Sequence, residues 1–359
     1  MGAVFVGEGR PPSLDVPVVD TLEEALDAFA PDQVVELADE PPLDAESRFA
    51  MAALALSRDV GWRGGGWSLE PPLRPRLTER PAIAVIGTGR GAGKTALARQ
   101  LARRALERGR RPVVVAMSGG RAVVPEVWPG DIPRVMARCC GTGLTGTPTS
   151  STYVAAVLEA VRHGDVLILQ GMGSAVPTCA AGATVLAVPA FDQGSHPLFP
   201  LRVLIAHAVV ITMSVDSGAA SGEDGRAQRL ETRITRIEPS VSILRTVFRP
   251  YPLEPISGQG VHLVTSAPPE RREGLVHDLQ ARWGARVVGA SHLLDEARAA
   301  GAEVVMAEPE TASADEVARF VAETGKKVVP YESRLDTEEG RDLTPILDGL
   351  LDTALASTS

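Results

Sequence analysis

The stretch Ile86–Thr95, IGTGRGAGKT, constrains this chain more than any other. It follows AIAVIG (Ala82–Gly87), a short apolar run rich in β-branched residues that reads as a buried strand. It opens KTALARQLARRALERG, where Leu97, Leu101 and Ala105 share one helical face and Gly109 supplies a stop. RPVVVAM follows as a second strand. Strand, glycine loop, helix and strand make a βαβ unit and therefore a parallel sheet. In such a loop, glycines let backbone N–H groups converge on phosphate oxygens, and the helix aims its positive end at them. The usual form is G-x-x-x-x-G-K-[ST]. Counted back from Lys94, the first glycine belongs at Thr88, but it stands at Gly87. The loop is one residue longer, or its first turn starts earlier. A mere glycine-rich connection is the plain alternative, disfavoured by the strand before and the helix after.

On this reading Gly87, Thr88, Gly89, Arg90, Gly91, Ala92, Gly93, Lys94, Thr95 and Ala96 bind a nucleotide, ATP. Lys94 reaches the β/γ-phosphates and Thr95 ligates Mg²⁺. Further buried strands are expected at Asp165–Gln170, Ala183–Val188, Ala208–Met213 and Val241–Phe248. After a Pro-rich turn the chain alternates strand and helix from Gly258 to its end, with SHLLDEARAAG among the expected helices. With 359 residues it exceeds one typical core. The expected class is α/β, divided into an N-terminal α/β region with a Gly/Pro linker (1–79), a P-loop domain with a mostly parallel sheet (80–257) and a smaller α/β domain (258–359).

Composition narrows the partners. A net charge of −9 repels phosphate backbones, so nucleic acid is not expected. The arginines of Arg99–Arg111 read as a solvated helix face. No apolar run approaches the roughly 18 residues of a membrane span, and the N-terminus lacks a leader pattern. Cys139, Cys140 and Cys179 form neither a disulfide framework nor a zinc spacing, which points to a reducing cytoplasm.

The lengthened loop, GT and five residues before KT, resembles dethiobiotin synthetase and its relatives, ATP-dependent enzymes that phosphorylate small acids. The loop together with TGTPTSS (Thr145–Ser151), QGMGSAVP (Gln170–Pro177), PLRVLIAHAVVITM (Pro200–Met213), TVFRPYPLEPISGQGVHLVTSAPPE (Thr246–Glu270) and VVGASHLL (Val287–Leu294) resembles the cyclic 2,3-diphosphoglycerate synthetase family. The resemblance runs from about Glu40 to Tyr331. It implies an ATP-dependent ligase that phosphorylates an acidic small molecule and closes a ring, releasing ADP and phosphate. A magnesium ion would then be held by an acidic residue at a neighbouring strand end, where the family has Glu-Gly; this chain has Gln170-Gly171. Asp165 lies five residues back, and Asp192 and Asp216 are the other acidic candidates.

Lys94, Arg249 and Gln170 are the catalytic candidates, and Thr149, Ser150, Gly173, Ser174, Arg202 and Arg249 the substrate candidates. Arg121 lies beside a resembling segment as well. Cations and hydroxyls suit an acceptor with several negative charges. A structural ion pair is the alternative for each arginine, and capping of the next helix for Thr149 and Ser150. His207 stands where the family tends to have an acidic residue; it reads as a base or, more plainly, as a hydrogen-bonded core histidine. The polar departures suggest a changed substrate in a specialised pathway. A nucleotide-binding regulator with little turnover, because Gln170 supplies no charge, is the rival reading. A small acidic substrate and a homodimer are the expected associations.

Overall fold

The structure is a computed structural model that describes residues 4–6, 16–37, 43–64, 66–119, 131–214, 224–265, 267, 269–298, 300–308, 312, 314–337 and 343–358. The N-terminal segment contributes β1 (Phe5–Val6), β2 (Val18–Val19), α1 (Leu22–Phe29), β3 (Gln33–Val35), α2 (Ala45–Ser57), β4 (Gly61–Gly64) and β5 (Trp67–Leu69). Thr21 and Asp44 cap the two helices, their side chains accepting from the amides of Glu24 and Ser47. β3, β4 and β5 form a small sheet of their own, so the segment expected to be linker begins as a hairpin.

The central segment runs β6 (Ala82–Gly87), α3 (Lys94–Glu107), β7 (Pro112–Ser118), β8 (Arg134–Cys140), β9 (Ser150–Ser151), α4 (Tyr153–Ala160), β10 (Val166–Gln170), β11 (Ala183–Pro189), α5 (Phe199–Leu204), β12 (Ala208–Thr212), α6 (Asp224–Ile237) and β13 (Ser242–Pro252). The last segment gives β14 (Gly260–Val264), α7 (Pro269–Trp283), β15 (Arg286–Ser291), β16 (Val304–Ala307), α8 (Ala314–Thr324), β17 (Lys327–Thr337) and α9 (Thr344–Ala356). SHLLDEARAAG makes a short 3-10 turn at Leu294–Arg298 instead of the expected helix.

One twelve-stranded sheet holds the last two segments together, in the order β15-β14-β16-β17-β13-β12-β11-β6-β10-β7-β8-β9. Among the described residues only β13–β17 and β8–β9 pair antiparallel within it. The strands are mostly parallel and covered on both faces, as α/β folds require. Alternation divides β6 between the two layers. Ala84 and Ile86 face the helices α2, α4, α5 and α6; Ile83 and Val85 face α3 and α9. α9 thus returns from the chain's end to pack on the central strands. Leu347, Leu350 and Leu351 bury there, worth roughly 6 kcal/mol at about 2 kcal/mol per leucine. No helix among the described residues is long and apolar enough to cross a membrane.

The join between the two parallel halves fixes their relative direction. Gly87 stands level with Ala187, Val210 and Leu244 across the sheet. Ala307 stands level with Pro330, whose carbonyl accepts from the Leu253 amide. Between those levels, among the described residues, only β13 and β17 continue, as an antiparallel ribbon from Thr246↔Thr337 to Pro252↔Tyr331. The nine steps from Leu244 to Leu253 span roughly 30 Å at ~3.3 Å per residue. β17 opposes β13, and its rungs pack along α3, where Gln100 donates to the Leu335 carbonyl and Arg103 pairs with Glu332.

Candidate functional site: the glycine loop and its neighbours

All six residues of β6 are buried between β10 and β11. The loop leaves its carboxyl end, with Gly91 (φ 72°) and Gly93 (φ 92°) in the left-handed region that glycine enters at no steric cost. A Cβ on Gly93 would also lie 3.0 Å from Thr212 Cγ2 and 3.1 Å from Phe248 Cζ. The Thr212 hydroxyl donates to the Ala92 carbonyl at 3.1 Å. The ends of β12 and β13 therefore wedge the loop in place. Gly93 precedes α3 without a side-chain cap, so the first-turn amides are left for a ligand, which is the anion-binding arrangement of a helix N-terminus.

Lys94 folds back over the loop. Its Nζ donates to the carbonyls of Gly89 (2.6 Å) and Gly173 (2.9 Å), and the residue is 6% exposed. Burial lowers its pKa to about 8. This pose explains the early glycine: a Cβ on Gly87 would lie 3.1 Å from Nζ and Cδ of Lys94 and 3.1 Å from the Ala187 carbonyl. The glycine stands where the lysine crosses the strand end.

Gln170 ends β10, next to β6, and its Nε2 donates to the Thr95 hydroxyl at 2.9 Å. Its Oε1 is buried without a partner, and so is the hydroxyl of Thr88. An orphaned buried polar atom costs about 1–3 kcal/mol, so two of them beside a desolvated lysine mark a place shaped for something polar. Among the described residues no group of three or more His, Cys, Asp or Glu could hold a metal ion. The oxygens present are neutral, the Thr95 hydroxyl and, after a half-turn of the amide, Gln170 Oε1. They fit a magnesium ion that takes most of its charge balance from phosphate and keeps several waters.

Arg202 of α5 is wholly buried. It donates to the carbonyls of Ser174 (2.9 Å) and Leu198 (3.1 Å) and lies 3.3 Å from His196 Nδ1. Burial lowers its pKa to about 10. Burial, and then the Arg202 charge, lower that of His196 to about 4, so the imidazole stays neutral and accepts. A guanidinium with no exposed surface does not meet a substrate. Arg202 instead pins the turn whose preceding carbonyl, on Gly173, holds Lys94. Gly173 and Ser174 are thus brought to the loop, and Arg202 acts through them.

Other candidates lie elsewhere. Thr149 and Ser150 sit at the β8–β9 edge, four strands or roughly 19 Å from β6. Neither caps α4; the Ser151 hydroxyl accepts from the Tyr153 amide instead. Arg249 is 2.6 Å from Asp278 and 3.7 Å from Asp336, a structural ion-pair cluster in place of the expected substrate clamp. Arg90 is exposed at the loop tip. His207 precedes β12 at the amino edge, opposite the loop, where its Nδ1 accepts from the Thr184 amide. Asp165 binds the Arg111 amide at that same edge, and Asp192 accepts from the Ser195 hydroxyl. Arg121 and Asp216 lie outside the described residues. Sequence reasoning missed Thr212 and Phe248, which shape the loop; each ends an apolar run, and only the sheet order brings them to Gly93.

No family model matches the chain. Curated relatives do. A cyclic 2,3-diphosphoglycerate synthetase of Thermococcus onnurineus is 30% identical over 371 residues, covering 90% of this chain and 83% of its own. The chain belongs to the cyclic 2,3-diphosphoglycerate synthetase family. Synthetases of the same name from Rubrobacter xylanophilus (29%, 95% of this chain, 87% of that one) and Methanothermobacter thermautotrophicus (28%, 85% and 75%) agree. Membership of this family makes the chain an enzyme of the ligase class. Among solved structures, LpxK of Aquifex aeolicus with ATP is similar at 13% identity and TM-score 0.41, over 79% of this chain and 90% of that one. HypB of Archaeoglobus fulgidus is similar at 15% and 0.33, over 56% and 87%. Both likenesses are too distant to bear on this chain's chemistry.

Proposed function

We propose that the chain is an ATP-dependent synthetase that phosphorylates an acidic small molecule and drives ring closure or condensation, with release of ADP and phosphate. One observation carries the reading: Lys94, desolvated and held only by two backbone carbonyls, at the opening of an uncapped helix. A triphosphate replaces those carbonyls with charged oxygens, and Lys94 and the loop amides stabilise the phosphoryl group in transfer. Thr95 and the amide of Gln170 would hold Mg²⁺, which would supply charge neutralisation on the phosphates. Three free cysteines suit a reducing, cytoplasmic setting. Family membership and the altered polar positions together favour a phosphorylated or carboxylated acceptor that differs from the relatives' own.

The test mixes pure protein with ATP, Mg²⁺ and a panel of phosphoglycerates and small carboxylates, and follows ADP. ATP binding without ADP from any acid would sink the reading. A second reading, a nucleotide-binding partner with little turnover, is favoured by the uncharged Gln170 beside Thr95. Turnover that appears only in Gln170→Glu would establish it. On the first reading the wild type turns over and Gln170→Glu mainly tightens the dependence on Mg²⁺.

A further inference from the structure

Arg90 stands in the glycine loop, four residues before Lys94, and its side chain is exposed. That side chain leans away from the loop. A Cβ placed on Gly119 would lie 3.6 Å from Arg90 Nη2 and 3.3 Å from Met172 Sδ. Gly119 follows β7 and Met172 lies just beyond β10. β10 runs between β6 and β7, and all three strands are parallel, so their carboxyl ends share one edge. Two strand spacings, roughly 10 Å, separate β6 from β7. The Arg90 guanidinium therefore reaches from the end of β6, past β10, to the end of β7.

Lys94 meets the same turn from the loop side, where its Nζ donates to the carbonyl of Gly173, the residue after Met172. The two cations of the loop thus straddle one turn. Lys94 is buried and held, whereas Arg90 has no ion-pair or hydrogen-bond partner among the described residues. Strand order also reverses at this edge. From β6 the chain runs outward to β7 and β8, returns to β10, then crosses β6 to β11. Open α/β sheets bind ligands at the carboxyl ends where the order reverses in this way. Lys94 and the opening of α3 occupy the β6 side of that crevice. The β10–β7 side is left for a second ligand, and the Arg90 guanidinium lies over it.

We propose that Arg90 anchors the acid group of the acceptor over the ends of β10 and β7, beside the phosphates that Lys94 holds. The inference rests on the proposed nucleotide site and adds to it a separate anion subsite. A guanidinium fork matches a carboxylate or a phosphate two N–H groups at a time. A chain of net charge −9 repels an acidic acceptor at long range, so a local cation has to hold it. Arg249 is committed to Asp278, and Arg202 to backbone carbonyls. Gly119 fits the same reading, because a side chain there would crowd the path of the guanidinium.

The full chain is first loaded with Mg²⁺ and a non-hydrolysable ATP analogue. It is then titrated calorimetrically with inorganic phosphate, standing for a phosphorylated acceptor, and with malonate, standing for a carboxylated one. The loaded wild type is expected to bind at least one of them, and the tighter probe names the acid class. Arg90→Gln is expected to weaken that probe about tenfold or more, the loss of a bidentate charged pair. It should weaken the analogue by less than about threefold, because the amide of residue 90 stays in the loop. A loaded wild type that binds neither probe overturns the inference, as does Arg90→Gln binding the tighter probe as the wild type does. A loss that falls on the analogue and spares the probe gives Arg90 to the nucleotide and overturns it too. If Arg90→Gln loses both, Gly119→Leu decides, since it obstructs the guanidinium and leaves the loop sequence intact; unchanged probe binding then overturns the inference. A wild type that binds no analogue sinks the nucleotide reading and this inference with it, whereas analogue binding with a probe indifferent to Arg90 sinks this inference alone.

Discussion

Lys94 carries its charge where water barely reaches, and that has a measurable consequence. With its pKa lowered to about 8, roughly half of the free protein lacks this proton at pH 8. A bound triphosphate favours the charged form and raises the pKa again. Nucleotide binding should therefore take up about half a proton at pH 8 and almost none near pH 6.5. Calorimetry in two buffers of different ionisation enthalpy measures this, and Lys94→Arg, which stays charged throughout, should abolish the uptake. Uptake that does not fall between pH 8 and pH 6.5 would refute the assignment. The lysine and the glycines were legible in the sequence because their spacing is a local property. The reason for Gly87 was not, because it depends on how a side chain seven residues later folds back. Arg249 and Arg202 misled for the same reason: an arginine's partner, Asp278 in one case and the Ser174 carbonyl in the other, lies far along the chain.

The elements divide by how they are buried. β6, β10, β11 and β12 are buried along their whole length and read directly as apolar runs. β8 escaped because it lies beside the sheet's edge strand β9 and leaves Arg138 and Cys140 exposed, so its pattern is only half apolar. The 3-10 turn at Leu294–Arg298 has the composition of a helix and too little length to become one. At the junction of β6 and α3, Gly93→Ala should lower stability by about 1–2 kcal/mol, the cost of a left-handed alanine. It should also weaken nucleotide binding by more than tenfold, because Thr212 and Phe248 leave the methyl no room. Fluorescence titration with a labelled ATP analogue reads the second effect; normal affinity would show that the wedge yields.

At the level of the whole molecule, helical periodicity identified α9 but not its destination. Its leucines announce a buried face without saying which core receives it, and it packs on β6 and β11 rather than beside the strands that precede it. Leu351→Ala should cost about 2–5 kcal/mol. Urea unfolding should show the loss in a transition that also ends nucleotide binding. A separate, earlier transition with nucleotide binding intact would mean that α9 is an appendage. Family membership was likewise readable from scattered motifs, whereas the joining of the two parallel halves follows only from the antiparallel pairing of β13 with β17, which no local pattern encodes.

That pairing works as a ruler. The two-stranded ladder carries Phe248 against Gly93 and the Ser333 hydroxyl on Glu308, and each matched insertion of two residues in both strands lengthens it by roughly 7 Å while every side chain keeps its face. A matched insertion of one residue would turn Phe248 away from Gly93, or Ser333 away from Glu308. A ribbon of another length keeps both contacts only if its two strands change in even steps.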